Sequence, residues 1–474
     1  MTKDIIKDLL LENFPYEPTA GQSELIEKLS VYIKTDEPRS LFVLSGYAGT
    51  GKTTIISALV NILPALKLNS VLLAPTGRAA KVLSNYSKKQ ALTIHKKIYR
   101  KNVGEWKGTF ELAVNLHTNT IFIVDEASMI SNTGGLSGTG MFGNGSLMDD
   151  LLNYVYPGMG CKLIFIGDSA QLPPIGLFIS FALDKEYLQK NYDFNITDIE
   201  LKDIVRQKKE SGILKNATQL RILLKNKGAL KPAFSLNDFS DIVRMSGGEL
   251  EEALTQSYSN YGPEGTIVIC RSNKRANIYN QQIRARIRWQ EDEISAGDLM
   301  MVVKNNYFWL EDNSKAGFIA NGDIVEIMKV KGIKELYDFR FADVTIRLLD
   351  YPDEPLLETK ILLDTIMSEA PALTQEENKK LYESVLEDYM HIADKRKRFN
   401  ELKKDPYFNA LQVKFAYAVT CHKAQGGQWP SVFIEQGYIT DEMVDKEFIR
   451  WLYTAVTRAT EKLYLVNFNP NFFD

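Results

Sequence analysis

The stretch GYAGTGK, Gly46 to Lys52, followed by Thr53 and Thr54, has the residue types and spacing to hold phosphate. Glycines at Gly46, Gly49 and Gly51 let backbone N–H groups curl around phosphate oxygens, and the helix that follows points its positive end at them. The cradle therefore comprises Gly46, Ala48, Gly49, Thr50, Gly51, Lys52, Thr53 and Thr54. Lys52 reaches the β- and γ-phosphates, and the Thr53 hydroxyl ligates Mg²⁺. A second signal is Asp125-Glu126, two carboxylates directly after an apolar run that includes Ile121 to Val124. At the carboxyl end of a buried parallel strand such a pair suits Mg²⁺ and water activation, and an exposed acidic pair fits that setting poorly. Gln22 carries an amide that both donates and accepts, as recognition of an adenine edge requires. Pro75, Thr76 and Arg78 stand at a turn into a helix, where hydroxyl, guanidinium and backbone N–H can hold a further phosphate.

The elements around these residues must place them together. LFVLS, Leu41 to Ser45, reads as a buried strand and Thr53 to Leu66 as a helix, which is the context that makes the glycine-rich turn a P-loop. Asp4 to Leu11 reads as a short amphipathic helix, and Gln22 opens another through Tyr32. Ser70 to Leu83 gives strand, turn and helix; Thr120 to Ile130 and Cys161 to Gly176 give two further strands, the latter ending at Asp168 to Gln171. A polar turn carries Thr93 and His95. Residues 100–118 read as a hairpin bearing Trp106 and Phe110, and the Gly-, Ser- and Asn-rich run 131–147 as a mobile loop. A second α/β pattern begins near Thr266. Residues 297–350 are β-rich with intervening turns, consistent with a small barrel, and 374–404 are helical and charged. In that helix Lys395 to Arg398 favour a solvated face over a phosphate clamp. Val413 to Glu435 return to the α/β pattern around a polar turn holding Thr420, His422, Lys423, Gln425 and Gly426. The last helix bears Tyr453, Thr454 and Arg458. Two α/β halves with a single P-loop put the ATP in the cleft between them.

Bulk properties narrow the class. The 474 residues exceed one core, and 45% hydrophobic with 25% charged residues is ordinary for a globular chain without a membrane span or secretory signal. Three scattered cysteines fit a reducing cytoplasm, and four histidines without ligand spacing disfavour a metal site made of protein ligands alone. A net charge of −3 announces no global nucleic-acid field, although a local groove needs none.

Taken together, these strings resemble the branch of superfamily 1 helicases that includes the Dda, RecD-type and Pif families, from Gln22 to Arg458. GYAGTGKTT resembles motif I, APTGRAAK motif Ia, TIH motif Ib, VDEAS motif II, GDSAQLPP motif III, Arg206 the motif IV arginine, YAVTCHKAQG motif V and YTAVTRA motif VI. The resemblance implies two RecA-like cores of parallel sheets flanked by helices: residues 1–95 with 119–195, and 196–296 with 412–474. It further implies a hairpin pin insertion at 96–118 and an SH3-like barrel with a helical extension at 297–411. By the same resemblance Gln22 reads adenine, Asp125 ligates Mg²⁺, Glu126 is the general base, Gln171 senses the γ-phosphate, and Arg206 and Arg458 are arginine fingers. Gly426 and Gln425 lie at the nucleotide edge of the second core. Pro75, Thr76, Arg78, Thr93 and His95, with Thr420, His422 and Lys423, are the implied single-strand contacts. Trp106 or Phe110 either stacks on the fork base pair or packs the hairpin onto the core. The expectation is an ATP- and Mg²⁺-dependent DNA helicase moving 5′→3′, acting as a cytoplasmic monomer on single-stranded and forked DNA, with replication or repair proteins as candidate partners. The polarity follows from the barrel standing where other branches carry a large helical insertion. The rivals are an RNA helicase of the same superfamily, a DNA-stimulated ATPase that remodels without strand separation, and a non-catalytic nucleotide switch.

Overall fold

A computed structural model describes residues 2–101, 110–132, 146–203, 211–226, 228, 230–236, 239–311, 314 and 316–473, with the side chains of Lys101 and Phe110 excepted. After two helices, α1 (Lys3–Glu12) and α2 (Ala20–Lys34), the first sheet is laid down by β1 (Ser40–Gly46), β2 (Asn69–Ala74), β3 (Ala91–Thr93), β6 (Thr120–Val124), β7 (Lys162–Gly167) and β8 (Asn195–Leu201). Between them lie α3 (Lys52–Ile62), α4 (Gly77–Ser87), α5 (Ile94–Ile98), the antiparallel pair β4 (Tyr99–Lys101) and β5 (Phe110–Leu112), α6 (Leu147–Val155) and α7 (Lys185–Tyr192). The strands run in the order β3-β2-β6-β7-β1-β8, all parallel. Strands covered on both faces must be apolar throughout, and TIFIV in β6 is buried at every position. One face packs α2, α3 and α4 through Leu25, Ile26, Ile55, Leu59 and Leu83; the other packs α6 through Met148, Leu151 and Val155.

The second core holds α8 (Gly212–Lys225), β9 (Ile242–Met245), α9 (Leu250–Gly265), β10 (Thr266–Cys270) and α10 (Asn273–Gln282). The chain then leaves it for β11 (Leu299–Val302), β12 (Ile324–Leu336), β13 (Phe339–Leu348), β14 (Leu357–Leu362), α11 (Asp364–Met367), α12 (Gln375–Asp388), α13 (Lys395–Leu402) and β15 (Leu411–Phe415). It returns with β16 (Ala418–Thr420), α14 (Cys421–Ala424), β17 (Trp429–Glu435), α15 (Lys446–Val456) and β18 (Ala459–Val466). The second sheet is parallel, in the order β16-β10-β17-β18-β9. Strands β11 to β15 close a barrel, and the tip of its long β12–β13 hairpin carries α12 and α13 on Phe339, Phe341, Leu381, Val385 and Leu402.

Two α/β cores and a small barrel match the expected architecture. Two boundaries move. β8 pairs along its length with β1, so the first sheet runs on to Leu201 rather than ending at 195. The barrel is closed by β15 (Leu411–Phe415), so it runs on to Phe415 rather than ending at 411. The hairpin strands β4 and β5 are as expected, while Trp106, Arg206 and residues 133–145 of the Gly-rich loop lie outside the described residues, as does the Phe110 side chain.

Candidate active site at the junction of the two cores

β1 ends at Gly46, and the turn into α3 requires left-handed backbone at Gly49 (φ 77°) and Gly51 (φ 85°), where a Cβ would be strained. The Lys52 ammonium donates to the carbonyls of Gly46 at 2.6 Å and Tyr47 at 2.9 Å, which holds it over the turn. Thr50 is buried and donates to the Tyr47 carbonyl at 2.8 Å. Gln22 serves this turn from α2. Its Oε1 accepts from the Thr19 amide at 2.9 Å in a capping box, and its Nε2 donates to the Thr50 carbonyl at 3.0 Å. With both ends of the amide engaged and the residue buried, Gln22 braces the P-loop, and it meets an adenine edge only by exchanging one of these bonds.

The two acids stand where the buried strand stops. Burial, and secondarily the Glu126 charge, push the Asp125 carboxyl up to about 6, while Lys52 opposes the rise. The Glu126 amide donates to Asp125 Oδ1 at 2.9 Å. Glu126 itself is left-handed (φ 51°), a conformation costing a non-glycine residue about 1–3 kcal/mol and typical of functional sites. Next door, β7 ends at Asp168, whose buried carboxyl is also raised, chiefly by desolvation. Gln171 is buried, and its Oε1 has no hydrogen-bond partner among the described residues.

The second core completes the site. Arg458, buried two residues beyond α15, donates to the carbonyls of Thr454 at 3.0 Å and Gly427 at 3.1 Å and to Thr457 Oγ1 at 3.1 Å. So fixed, it brings Nη1 to 3.9 Å from Glu126 Oε1. One turn earlier, the Tyr453 hydroxyl accepts from the Ala48 amide at 3.1 Å and donates to Asp168 Oδ2 at 2.5 Å. Thr454 Oγ1 accepts from the Leu172 amide at 2.9 Å, and Gln425 Nε2 donates to the Leu172 carbonyl at 2.7 Å. On the far side of the P-loop, Arg221 of α8 lies over the Tyr47 ring at 4.1 Å, and the Tyr47 hydroxyl donates to Glu200. Sequence reasoning gave no role to Tyr453, Thr454, Arg221 or Tyr47. The hydroxyls just upstream of Arg458 were the available signal for the first two.

The residues implied as strand contacts divide. Thr76 caps α4 by accepting from the Ala79 amide at 3.2 Å, beside the half-buried Pro75. Gly426 (φ 73°) packs on this turn so tightly that a Cβ would stand 2.7 Å from Ala79 Cβ and 3.2 Å from Thr76 Oγ1. Arg78 packs across the cores: its guanidinium lies over the Trp429 ring at 4.0 Å and burial lowers its pKa. Thr93 is buried, and its hydroxyl caps α5 by accepting from the Lys96 amide at 3.1 Å. His95 stacks near the Tyr99 ring, and burial holds its imidazole down at about 4, hence neutral near pH 7. Thr420, His422 and Lys423 are gathered at the start of α14, partly exposed; the Thr420 side chain makes no cap bond. The barrel docks beside α4 and α5, a contact the sequence did not reveal. Lys96 donates to the Tyr351 hydroxyl at 2.7 Å and lies 3.9 Å from Asp323, while Lys81 pairs with Asp350 at 3.2 Å.

The donor set fits a nucleotide carrying Mg²⁺. Among the described residues no group of three or more His, Cys, Asp or Glu side chains could hold a metal. A hydroxyl at Thr53 and a carboxylate at Asp125 suit an ion that keeps waters and phosphate oxygens in its shell.

Comparison with known proteins agrees with this geometry. Residues 18–227 match the model of an AAA domain, and residues 415–466 that of the UvrD-like helicase C-terminal domain. The ATP-dependent DNA helicase dda of Enterobacteria phage T4 is 24% identical over 94% of this chain and 99% of its own length. The ATP-dependent RecD2 DNA helicase of Deinococcus radiodurans is 23% identical over 94% of this chain and 50% of its own. An uncharacterised protein of Methanocaldococcus jannaschii is 27% identical over 98% of this chain, which spans only 40% of that relative.

Proposed function

Since the chain belongs to the superfamily 1 helicases of the Dda, RecD-like and Pif branch, we propose that it hydrolyses ATP between its two cores to move 5′→3′ along single-stranded DNA and separate duplex ahead of it. The observation that carries this reading is the approach of Arg458, fixed by bonds within the second core, to Glu126 of the first. A phosphate-binding site with an acid pair but no cation from the opposite core would suit a binder. A guanidinium delivered across the cleft suits a catalyst whose activity depends on closure.

The residues divide the work. Lys52 and the amides of the turn hold the β- and γ-phosphates. Glu126 orients and deprotonates the attacking water, Gln171 offers its unpaired carbonyl to that water, and Arg458 neutralises charge growing on the γ-phosphate. Mg²⁺, held through Thr53 and Asp125, supplies further charge neutralisation when bound. Loss of the γ-phosphate removes the anion that Lys52 and Arg458 share, so the cores part. Thr76 and the start of α4 in one core, and Thr420, His422 and Lys423 in the other, then alternate their spacing along the strand.

ATP turnover with and without single-stranded DNA tests the chemistry. Glu126→Gln should bind ATP but lose strand-stimulated hydrolysis by about 10²–10⁴-fold, and Lys52→Ala should lose it as well. Wild-type turnover in Glu126→Gln would remove Glu126 as the base.

A further inference from the structure

We infer that Tyr453 is a positioning residue that locks the P-loop to the Asp168 turn when the second core closes on the first; the inference rests on the proposed ATP hydrolysis. Tyr453 sits on α15, five positions before Arg458, and is 1% exposed. Its phenol enters the first core between two loops that share no other described side-chain bond to it: the P-loop, through the Ala48 amide, and the turn after β7, through Asp168. The polarity of this chain of bonds is fixed. An amide only donates, so the phenol oxygen accepts from Ala48, and the phenol's own proton must go to Asp168 Oδ2. Asp168 must therefore be an acceptor there. Its other oxygen accepts from the Ala170 amide at 2.9 Å, so both carboxylate oxygens are engaged.

Ala48 lies inside the phosphate-binding turn Gly46 to Lys52, and Asp168 leads into Gln171. A single hydroxyl from the opposite core thus takes up the Ala48 N–H and fixes that peptide within the P-loop, and it holds the turn that presents Gln171. Arg458 delivers charge on closure, whereas Tyr453 delivers geometry. The phenol is not what holds the cores together. Thr454 and Gln425 grip both sides of the Leu172 peptide, and these bonds survive removal of the hydroxyl.

Tyr453→Phe keeps the ring and deletes both bonds. At saturating ATP and single-stranded DNA, its kcat should fall about ten- to a hundredfold, the usual effect of losing a hydrogen bond to a charged partner. Its ADP affinity, measured by calorimetry, should stay within about threefold of wild type, because most of the cradle is untouched. Asp168→Asn should behave similarly, and the double variant should be no slower than the slower single one, because both changes break one chain of bonds. Tyr453→Phe turning over within twofold of wild type would overturn the inference, as would effects that multiply in the double variant. A matching loss of ADP affinity would make the phenol a general prop of the P-loop, which also overturns it. A wild-type protein that hydrolyses no ATP overturns the functional reading first, and is seen without any variant.

Discussion

Burial and the neighbouring Lys414 charge hold the Lys423 ammonium down at about 8. Lys414 is depressed to the same value, but its ammonium is committed to the carbonyls of Thr365 and Ser368. A strand phosphate favours the charged form of Lys423, so binding strengthens below the lysine's own pKa and weakens as pH rises through it. Single-strand affinity measured by anisotropy should fall several-fold between about pH 7 and 9. Lys423→Arg, charged throughout, should flatten that slope; an unchanged slope would take Lys423 out of the strand path. His95 contributes no such limb near neutrality, being held at about 4. Lys52, Asp125 and Glu126 were legible because their chemistry is written in adjacent residues. The partners of Tyr453 were not, since its bond to Ala48 joins positions 405 residues apart. The cap that Thr93 places on α5 was hidden for a related reason: a hydroxyl before a helix serves equally as a ligand or as a cap.

At the scale of the elements, the α12–α13 extension rests on the barrel hairpin through one small apolar cluster. Leu381 is buried in it, and Leu381→Ala should cost about 2–5 kcal/mol locally. Hydrogen exchange should then quicken across 375–402 while ATP turnover is unchanged; slowed turnover would tie the extension to the chemistry. A contrasting contact is Gly427, where a Cβ would drive into the Trp429 ring and stand 2.9 Å from Arg78 Nε. Gly427→Ala should therefore loosen the cores from each other and depress turnover without unfolding either sheet. The parallel strands were readable from their apolar runs. β8 escaped assignment because NITDIEL alternates, as an edge strand half-open to solvent does, and so reads as belonging to whichever core is nearer. β15 escaped because a strand that closes a barrel has the same composition as one that opens a sheet.

At the scale of the whole chain, three bodies meet around α4. The first core supplies its N-terminus, the second lays Gly426 and Trp429 against it, and the barrel sets Asp323 beside Gly77 and Tyr351 against Lys96. Lys96 is almost wholly buried in that contact and faces the buried Asp323 carboxylate, so Lys96→Ala should weaken the docking of the barrel on α5. The arrangement predicts that ATP-driven closure is felt by the strand grips and the barrel together, so that hydrolysis is converted to movement in one direction. The most direct test is unwinding of a DNA duplex bearing one single-stranded tail, on either the 5′ or the 3′ side, with ATP hydrolysis followed in parallel. Unwinding from the 5′-tailed substrate alone is the predicted result. Unwinding from the 3′ tail alone would contradict the polarity, and DNA-stimulated hydrolysis with no unwinding from either tail would contradict strand separation itself.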